Sequence, residues 1–263
     1  MPPTSHNHAV CLGCGCLCDD VQLSLSAGKI SAPQLSCERG QAWFHSLELT
    51  GAAPDPSELD RAAKLLTDAR MPLVCGLKHA CTKSQRLAVE IADRLGGCVD
   101  WTTSEADAAE VIAMQTLGGV SASLGEVAQR ADLVVFWRCD PAATHPRHLA
   151  RFSLEPTSPW LPDGRADRQA VLIGDHRWET GNHVDLVIES EPTDDLSAVA
   201  RVRACLAGVA LEDDEPSVWA ALADRIRHSR SSAIFYDTPL KDQGHAVLEQ
   251  LTHLAQEVQR HTR

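Results

Sequence analysis

The chain has 263 residues, 44% of them hydrophobic, and 36 acidic against 24 basic side chains give it a formal net charge of −12. That length buries a core in one large domain or two modest ones. The negative balance argues against nucleic acid and membrane as partners, because both are bound through clustered Lys and Arg. No apolar run approaches the roughly 20 residues that cross a bilayer. The opening Met1-Pro2-Pro3-Thr4-Ser5-His6-Asn7-His8 has neither a basic nor an apolar region of the kind a signal peptide needs, so a cytoplasmic protein is expected.

The first informative stretch is Val10-Cys11-Leu12-Gly13-Cys14-Gly15-Cys16-Leu17-Cys18-Asp19-Asp20, followed by Cys37 in Ser36-Cys37-Glu38-Arg39-Gly40. Cys11, Cys14, Cys18 and Cys37 together read Cys-x2-Cys-x3-Cys, a gap, then Cys. Thiolates crowded in this way repel one another unless a metal ion or an iron–sulfur cluster holds them. Gly13 and Gly15 let the backbone curl so that several sulfurs face one point. The pattern admits an iron–sulfur cluster, a zinc ion, or four free thiols left from an ancestor that carried a cluster. Cys16 lies off the ligand spacing and is expected to pack. Cys75, Cys81, Cys98, Cys139 and Cys205 stand singly in apolar surroundings, as free thiols in a reducing compartment do.

Residues 46–56, with two prolines, read as a linker. Ser57-Glu58-Leu59-Asp60 reads as a helix N-cap, with Ala62, Ala63, Leu65 and Leu66 following at helical spacing. Residues 72–76 are a short apolar run ending in glycine, expected as a buried parallel strand. An amphipathic helix over 82–95 stops at Gly96-Gly97, and 98–101 is a second strand, completing a β-helix-β unit. Further strands are expected over 132–137, 170–175 and 184–188. Asp194-Asp195 caps a helix running to about residue 207, and 208–216 is an acidic loop. A helix over 218–228, a strand over 232–236 and a terminal helix over 241–259 follow. The alternation predicts an α/β fold: a small N-terminal cysteine-bearing lobe, then a doubly wound, mostly parallel sheet. The division expected is a lobe over 1–50, a Rossmann-like domain over 51–192 and an α/β extension over 193–263. No Gly-x-Gly-x-x-Gly, P-loop or Gly-x-Ser-x-Gly is present, so neither nucleotide binding nor serine hydrolysis is supported.

Three stretches together resemble the B subunit of formylmethanofuran dehydrogenase, in the molybdopterin oxidoreductase superfamily. They are the cysteine run through Asp20 with Gly28-Lys29-Ile30 and Cys37; Pro72 to Leu77 with Asp100-Trp101-Thr102-Thr103-Ser104; and Leu124 to Trp137 with Asp140-Pro141 and His145-Pro146-Arg147-His148-Leu149-Ala150-Arg151-Phe152. The resemblance covers roughly residues 9–200. It implies that Cys11, Cys14, Cys18 and Cys37 are the ligands of a 4Fe–4S cluster. It also aligns the family's tungsten- or molybdenum-ligating cysteine with Asp107 and that cysteine's histidine neighbour with Ala108. A soft thiolate is replaced by a hard carboxylate. The chain is also shorter than the family's usual length.

The resemblance therefore implies a degenerate B subunit with no molybdopterin or tungstopterin and no catalytic residue of its own. Its role would be structural, in a formyltransferase/hydrolase complex of one-carbon metabolism. That complex moves a formyl group from formyl-tetrahydromethanopterin to a methanofuran-type carrier and releases formate. The partners implied are the complex's other subunits: its amidohydrolase-like A component, its C component and its formyltransferase, the D component. The alternative is an active dehydrogenase subunit with cluster and pterin; an independent metal-binding or electron-transfer module is the third possibility. Asp107 is expected to be a solvated residue at a helix start. His145, Arg147 and His148 follow a strand end, where doubly wound sheets bind ligands. They are expected to pin their loop or pack a neighbouring subunit rather than to bind a carboxylate or a pterin phosphate. The loops His176-Arg177-Trp178 and Gly181-Asn182-His183 receive no chemistry.

Overall fold

The computed structural model describes residues 4–26, 29–30, 33–47, 55–77, 80–100, 105–210 and 217–261. The linker at 48–54, the Thr102-Thr103-Ser104 segment and most of the acidic loop lie outside them. The chain divides into two compact units, residues 49–107 and the remainder.

The larger unit begins with three antiparallel strands, β1 (Thr4–Ala9), β2 (Val21–Ser26) and β3 (Lys29–Ile30), with β2 in the middle. Helix α1 (Glu38–Ser46) follows. In the smaller unit, α2 (Pro56–Asp68), β4 (Leu73–Cys75), α3 (Thr82–Leu95) and β5 (Cys98–Asp100) form the expected β-helix-β arrangement, with β4 and β5 parallel. The start of α2 differs from the expected Ser57 cap. Asp55 is the N-cap, and its carboxylate accepts from the Ser57 amide at 2.9 Å and the Ser57 hydroxyl at 2.7 Å. Pro56 supplies the preset φ of a first helical residue. At the end of α3, Gly96 takes φ +63°, the left-handed stop that glycine makes without strain.

Two expectations for this unit fail. Strands β4 and β5 are not buried, with Leu73 at 59% and Val99 at 42% exposure. Cys75, Cys81 and Cys98 are exposed too, because a sheet of two strands cannot enclose their side chains.

The larger unit resumes within α4 (Glu105–Leu117) and continues through α5 (Leu124–Arg130), β6 (Leu133–Trp137), α6 (Pro141–Thr144), β7 (Gln169–Gly174), β8 (Leu186–Glu189), α7 (Asp195–Leu206), α8 (Val218–His228), β9 (Ser232–Tyr236), α9 (Thr238–Lys241) and α10 (His245–His261). Four strands pair in the order β8-β7-β6-β9, all parallel. Every residue of β6 is buried. Leu133, Val135 and Trp137 enter the core built with α7, α8 and α10, while Val134 and Phe136 enter the core on the opposite face. This is the doubly wound arrangement the alternation predicts. Residues 193–263 supply β9, the edge strand beside β6, and three of the helices packed on the sheet.

Asp195 is not a surface cap. It has no exposed surface and accepts from Trp137 Nε1 at 2.9 Å, Arg138 Nε at 2.8 Å and Gln243 Nε2 at 2.6 Å. Arg138, also buried, follows β6 with φ +52° and donates further to Ser190 Oγ. A buried ion pair is tolerated only with its remaining donors and acceptors satisfied, which this network does.

Candidate metal centre

The cysteines occupy the loop between β1 and β2. The Cys11 amide donates to the Cys18 carbonyl at 2.8 Å, closing residues 11–18 into a ring. Leu17 takes φ +46° to re-aim the chain into Cys18. The Gly13 amide points at Cys11 Sγ, 3.4 Å away. Cys37 is the N-cap of α1 but makes no capping bond with its side chain, which leaves the sulfur available. The packing leaves no room for larger residues. A Cβ at Gly13 would lie 3.0 Å from the Arg39 carbonyl oxygen, and one at Gly40 would lie 3.1 Å from Cys11 Sγ.

Cys11, Cys16 and Cys18 are buried, Cys14 and Cys37 half-buried, and all are free of disulfides. Burial pushes the Cys11 thiol up, opposed by the Gly13 amide, and the charges of Cys37 and Cys14 raise it further. Burial also raises Cys18, against the lowering effect of Arg147 and Arg151. Cys16, enclosed and next to Cys14, is pushed up to about 12. It shares a small core with Cys11, Cys18, Val21, Leu23 and Phe44. The donor set, soft sulfurs in a tight loop with an amide aimed at one of them, suits an iron–sulfur cluster. Among the described residues no three His, Cys, Asp or Glu side chains draw together as the ligands of one ion do.

The His-Pro-Arg-His loop lies against this lobe. Arg147 is bidentate to Asp20, Nη1 to Oδ1 at 2.8 Å and Nη2 to Oδ2 at 2.5 Å, and Nη1 also donates to the Leu35 carbonyl at 2.7 Å. Its hydrogen bonds hold Asp20 below the usual carboxylate range, and in return Asp20 raises the guanidinium. Arg151 pairs with Asp19 at 2.8 Å and with Asp20. His145 reaches toward Gly15 and accepts or donates at Nδ1 with Thr144 Oγ1, 2.9 Å away.

His148 turns inward instead. Its Nδ1 lies 3.1 Å from Ser153 Oγ, its ring meets Phe235 edge-on, and burial then the His145 charge push it down to about 4. It pins the loop as a neutral ring. The loop after β7 is tied in by Asp140, which accepts from the Thr180 hydroxyl at 2.6 Å and amide at 2.9 Å. His176 there pairs with Glu189, and Arg177 with Asp175.

Asp107 lies in the first turn of α4 and is half-buried. Three residues on, Glu110 accepts from the Tyr236 hydroxyl at 3.1 Å and pairs with Lys241. The structure thus brings the four cysteines and Arg147 into one lobe, and leaves Asp107 on another element. Asp19 and Asp20 stand in the cysteine motif without a role that the sequence can assign. Their partners are 132 and 127 residues away, a separation at which no local pattern signals pairing.

Fold and site define the class: a doubly wound α/β protein whose cysteine-bearing lobe is clamped by the loop after a central strand. Known proteins make it particular. No family model matches the chain. It is 30% identical over 226 residues to the B subunit of tungsten-containing formylmethanofuran dehydrogenase 2 from Methanococcus maripaludis, covering 79% of this chain and 52% of that protein. It is 29% identical over 224 residues to the protein of that name from Methanocaldococcus jannaschii, with the same coverage. Over the matched region the chain is therefore related to the B subunit of formylmethanofuran dehydrogenase, and it spans about half the length of these relatives. Its fold is that of a chain in the formyltransferase/hydrolase complex from Methylorubrum extorquens, solved with methylofuran, at a TM-score of 0.62 and 24% identity over 81% of this chain and 57% of that one.

Proposed function

We propose that the chain is a non-redox, structural B-type subunit of a formyltransferase/hydrolase complex in one-carbon metabolism, its formyl transfer and hydrolysis performed by the partner subunits. The observation that carries the reading is Asp107, followed by Ala108, where the resemblance expects a metal-ligating cysteine and histidine. A carboxylate at a half-buried helix start is a poor substitute for a thiolate toward tungsten or molybdenum. Within this reading Cys11, Cys14, Cys18 and Cys37 hold a 4Fe–4S cluster that fastens the lobe. The Cys-x2-Cys-x3-Cys spacing with the later Cys37, and the Gly13 amide aimed at Cys11 Sγ, support this reading. Such a cluster, when bound, supplies one-electron chemistry; the chain's own residues bind it, shield it and fix the loops around it.

The test is to isolate the chain with its co-purifying subunits and compare wild type with Asp107→Ala. Unchanged formate production, with neither tungsten nor molybdenum bound, is the expected result. A loss beyond about tenfold, the low end for a general acid or base, overturns it. The second reading, an active dehydrogenase subunit, is favoured by the complete cysteine quartet and by the tungsten enzymes among the relatives. Bound tungsten or molybdenum, or viologen-linked oxidation of a formyl carrier, decides for it.

A further inference from the structure

Arg147 makes more contacts than a clamp requires. Asp20, which takes both ends of its fork, is two residues after Cys18; Leu35, whose carbonyl takes a third bond, is two residues before Cys37. One guanidinium therefore ties together the two backbone segments that carry the ligand cysteines. Leu35 adopts φ +57°, a strained geometry for leucine that presents its carbonyl at that point. Arg151, stacked on Phe152, adds a second cation on the Cys18 side. Fastening the lobe needs the carboxylates alone; the strut to Leu35 is not required for it.

We propose that Arg147 is the charge-balancing and positioning residue of the cysteine site, its guanidinium offsetting the negative charge that four thiolates and a bound 4Fe–4S cluster concentrate between residues 11 and 37. The inference rests on the cluster reading above. Hydrogen bonds and fixed cations at ligand sulfurs are a main lever on cluster potential. Asp20 carries the opposite charge to Arg147 and stands two residues from Cys18, so the two partners of one ion pair have opposite electrostatic effects on the site. A merely structural pair would give both substitutions the same effect.

The full chain, with the subunits that accompany it, is reconstituted anaerobically with ferrous iron and sulfide, and iron per chain and midpoint potential are measured by redox-titrated electron paramagnetic resonance. Arg147→Gln is expected to lower the potential by about tenfold in the reduction equilibrium, about 59 mV for a one-electron couple. Arg147→Lys restores most of it, and Asp20→Asn raises it. If Arg147→Gln fails to load, loading of Arg147→Lys still supports the charge role, while failure of both overturns it. Equal shifts, or equal loss of iron, in Arg147→Gln and Asp20→Asn reduce the pair to a latch and overturn the proposal. A loaded wild type with an unmoved Arg147→Gln sinks this inference alone. A wild type that takes up no iron and sulfide sinks the cluster reading with it.

Discussion

The two units of this chain are built from the same sequence grammar, and they bury it differently. Strand β4 and strand β6 are both short apolar runs followed by a chain reversal, and both pair in parallel. Yet β6 is buried along its length while Leu73 in β4 stands 59% exposed. In the larger unit, helices cover both faces of a four-stranded sheet. In the smaller, α2 has no buried residue, and Leu59, Leu65, Leu87 and Val89 are at least half exposed. A parallel sheet is stable only when both faces are covered. An apolar run thus states that a strand prefers burial; the number of neighbouring strands and helices decides whether it gets it.

Ion pairs give the sharpest contrast. Asp195→Ala in the larger unit leaves Arg138 buried without its counter-charge, and the loss expected in a denaturant titration is about 3–5 kcal/mol. Glu90→Ala, which breaks an exposed pair with Arg94 in the smaller unit, is expected to cost less than about 1 kcal/mol. Comparable losses would mean that the pairs are equally solvated and the contrast is false. Core truncation probes the same difference through packing. Leu172→Ala, at a fully buried position of β7, is expected to cost about 2–5 kcal/mol. Leu73→Ala in β4 should fall below about 1 kcal/mol in the isolated chain. A large loss at Leu73 would show that its face is covered.

This contrast also explains what is legible in the sequence. The alternation of helix and strand is readable because each element carries its own periodicity: β6 in its run of Leu133 to Trp137, α3 in its stripe and its Gly96 stop. The cysteine spacing is readable for the same reason, since Cys11, Cys14 and Cys18 lie within one loop. Asp195 reads as a cap because its local context, an acidic pair before a helix, is that of a cap. Its partners Trp137, Arg138 and Gln243 come from remote segments that only the sheet order brings together. Arg147 is the same case. Its loop stands out in the sequence, but its charge partner two residues past Cys18 depends on how the lobe docks. Strand β1 leaves no trace, because Ser5, His6, Asn7 and His8 carry no apolar alternation, whereas β2 does alternate Val21, Leu23 and Leu25 with polar residues, a strand signal that the expected elements do not include.

Acid separates the two units by a third route. His148 is buried in the larger unit and held down to about 4 by burial first and by His145 second, whereas in the unfolded chain it titrates near its ordinary 6.5. Between those values the unfolded state binds the proton and the folded state does not. Stability therefore falls as pH drops from about 6.5 to about 4 and is fully present above that window. The whole shift corresponds to on the order of 3 kcal/mol, an upper figure because the ring can tilt toward water as it charges. The paired carboxylates do not confuse the test: Asp20, lowered by its bonds to Arg147, contributes stability that is lost only below the ordinary carboxylate range. Amide hydrogen exchange at about pH 5 is expected to show residues 145–153 and the facing end of β9 loosening relative to about pH 7.5, with α2 and α3 unchanged. His148→Asn, which keeps a hydrogen-bonding group for Ser153 and removes the titration, should flatten that dependence. If α3 loosens as much as the 145–153 loop, or the Asn variant keeps the full slope, the acid response does not originate at this buried ring.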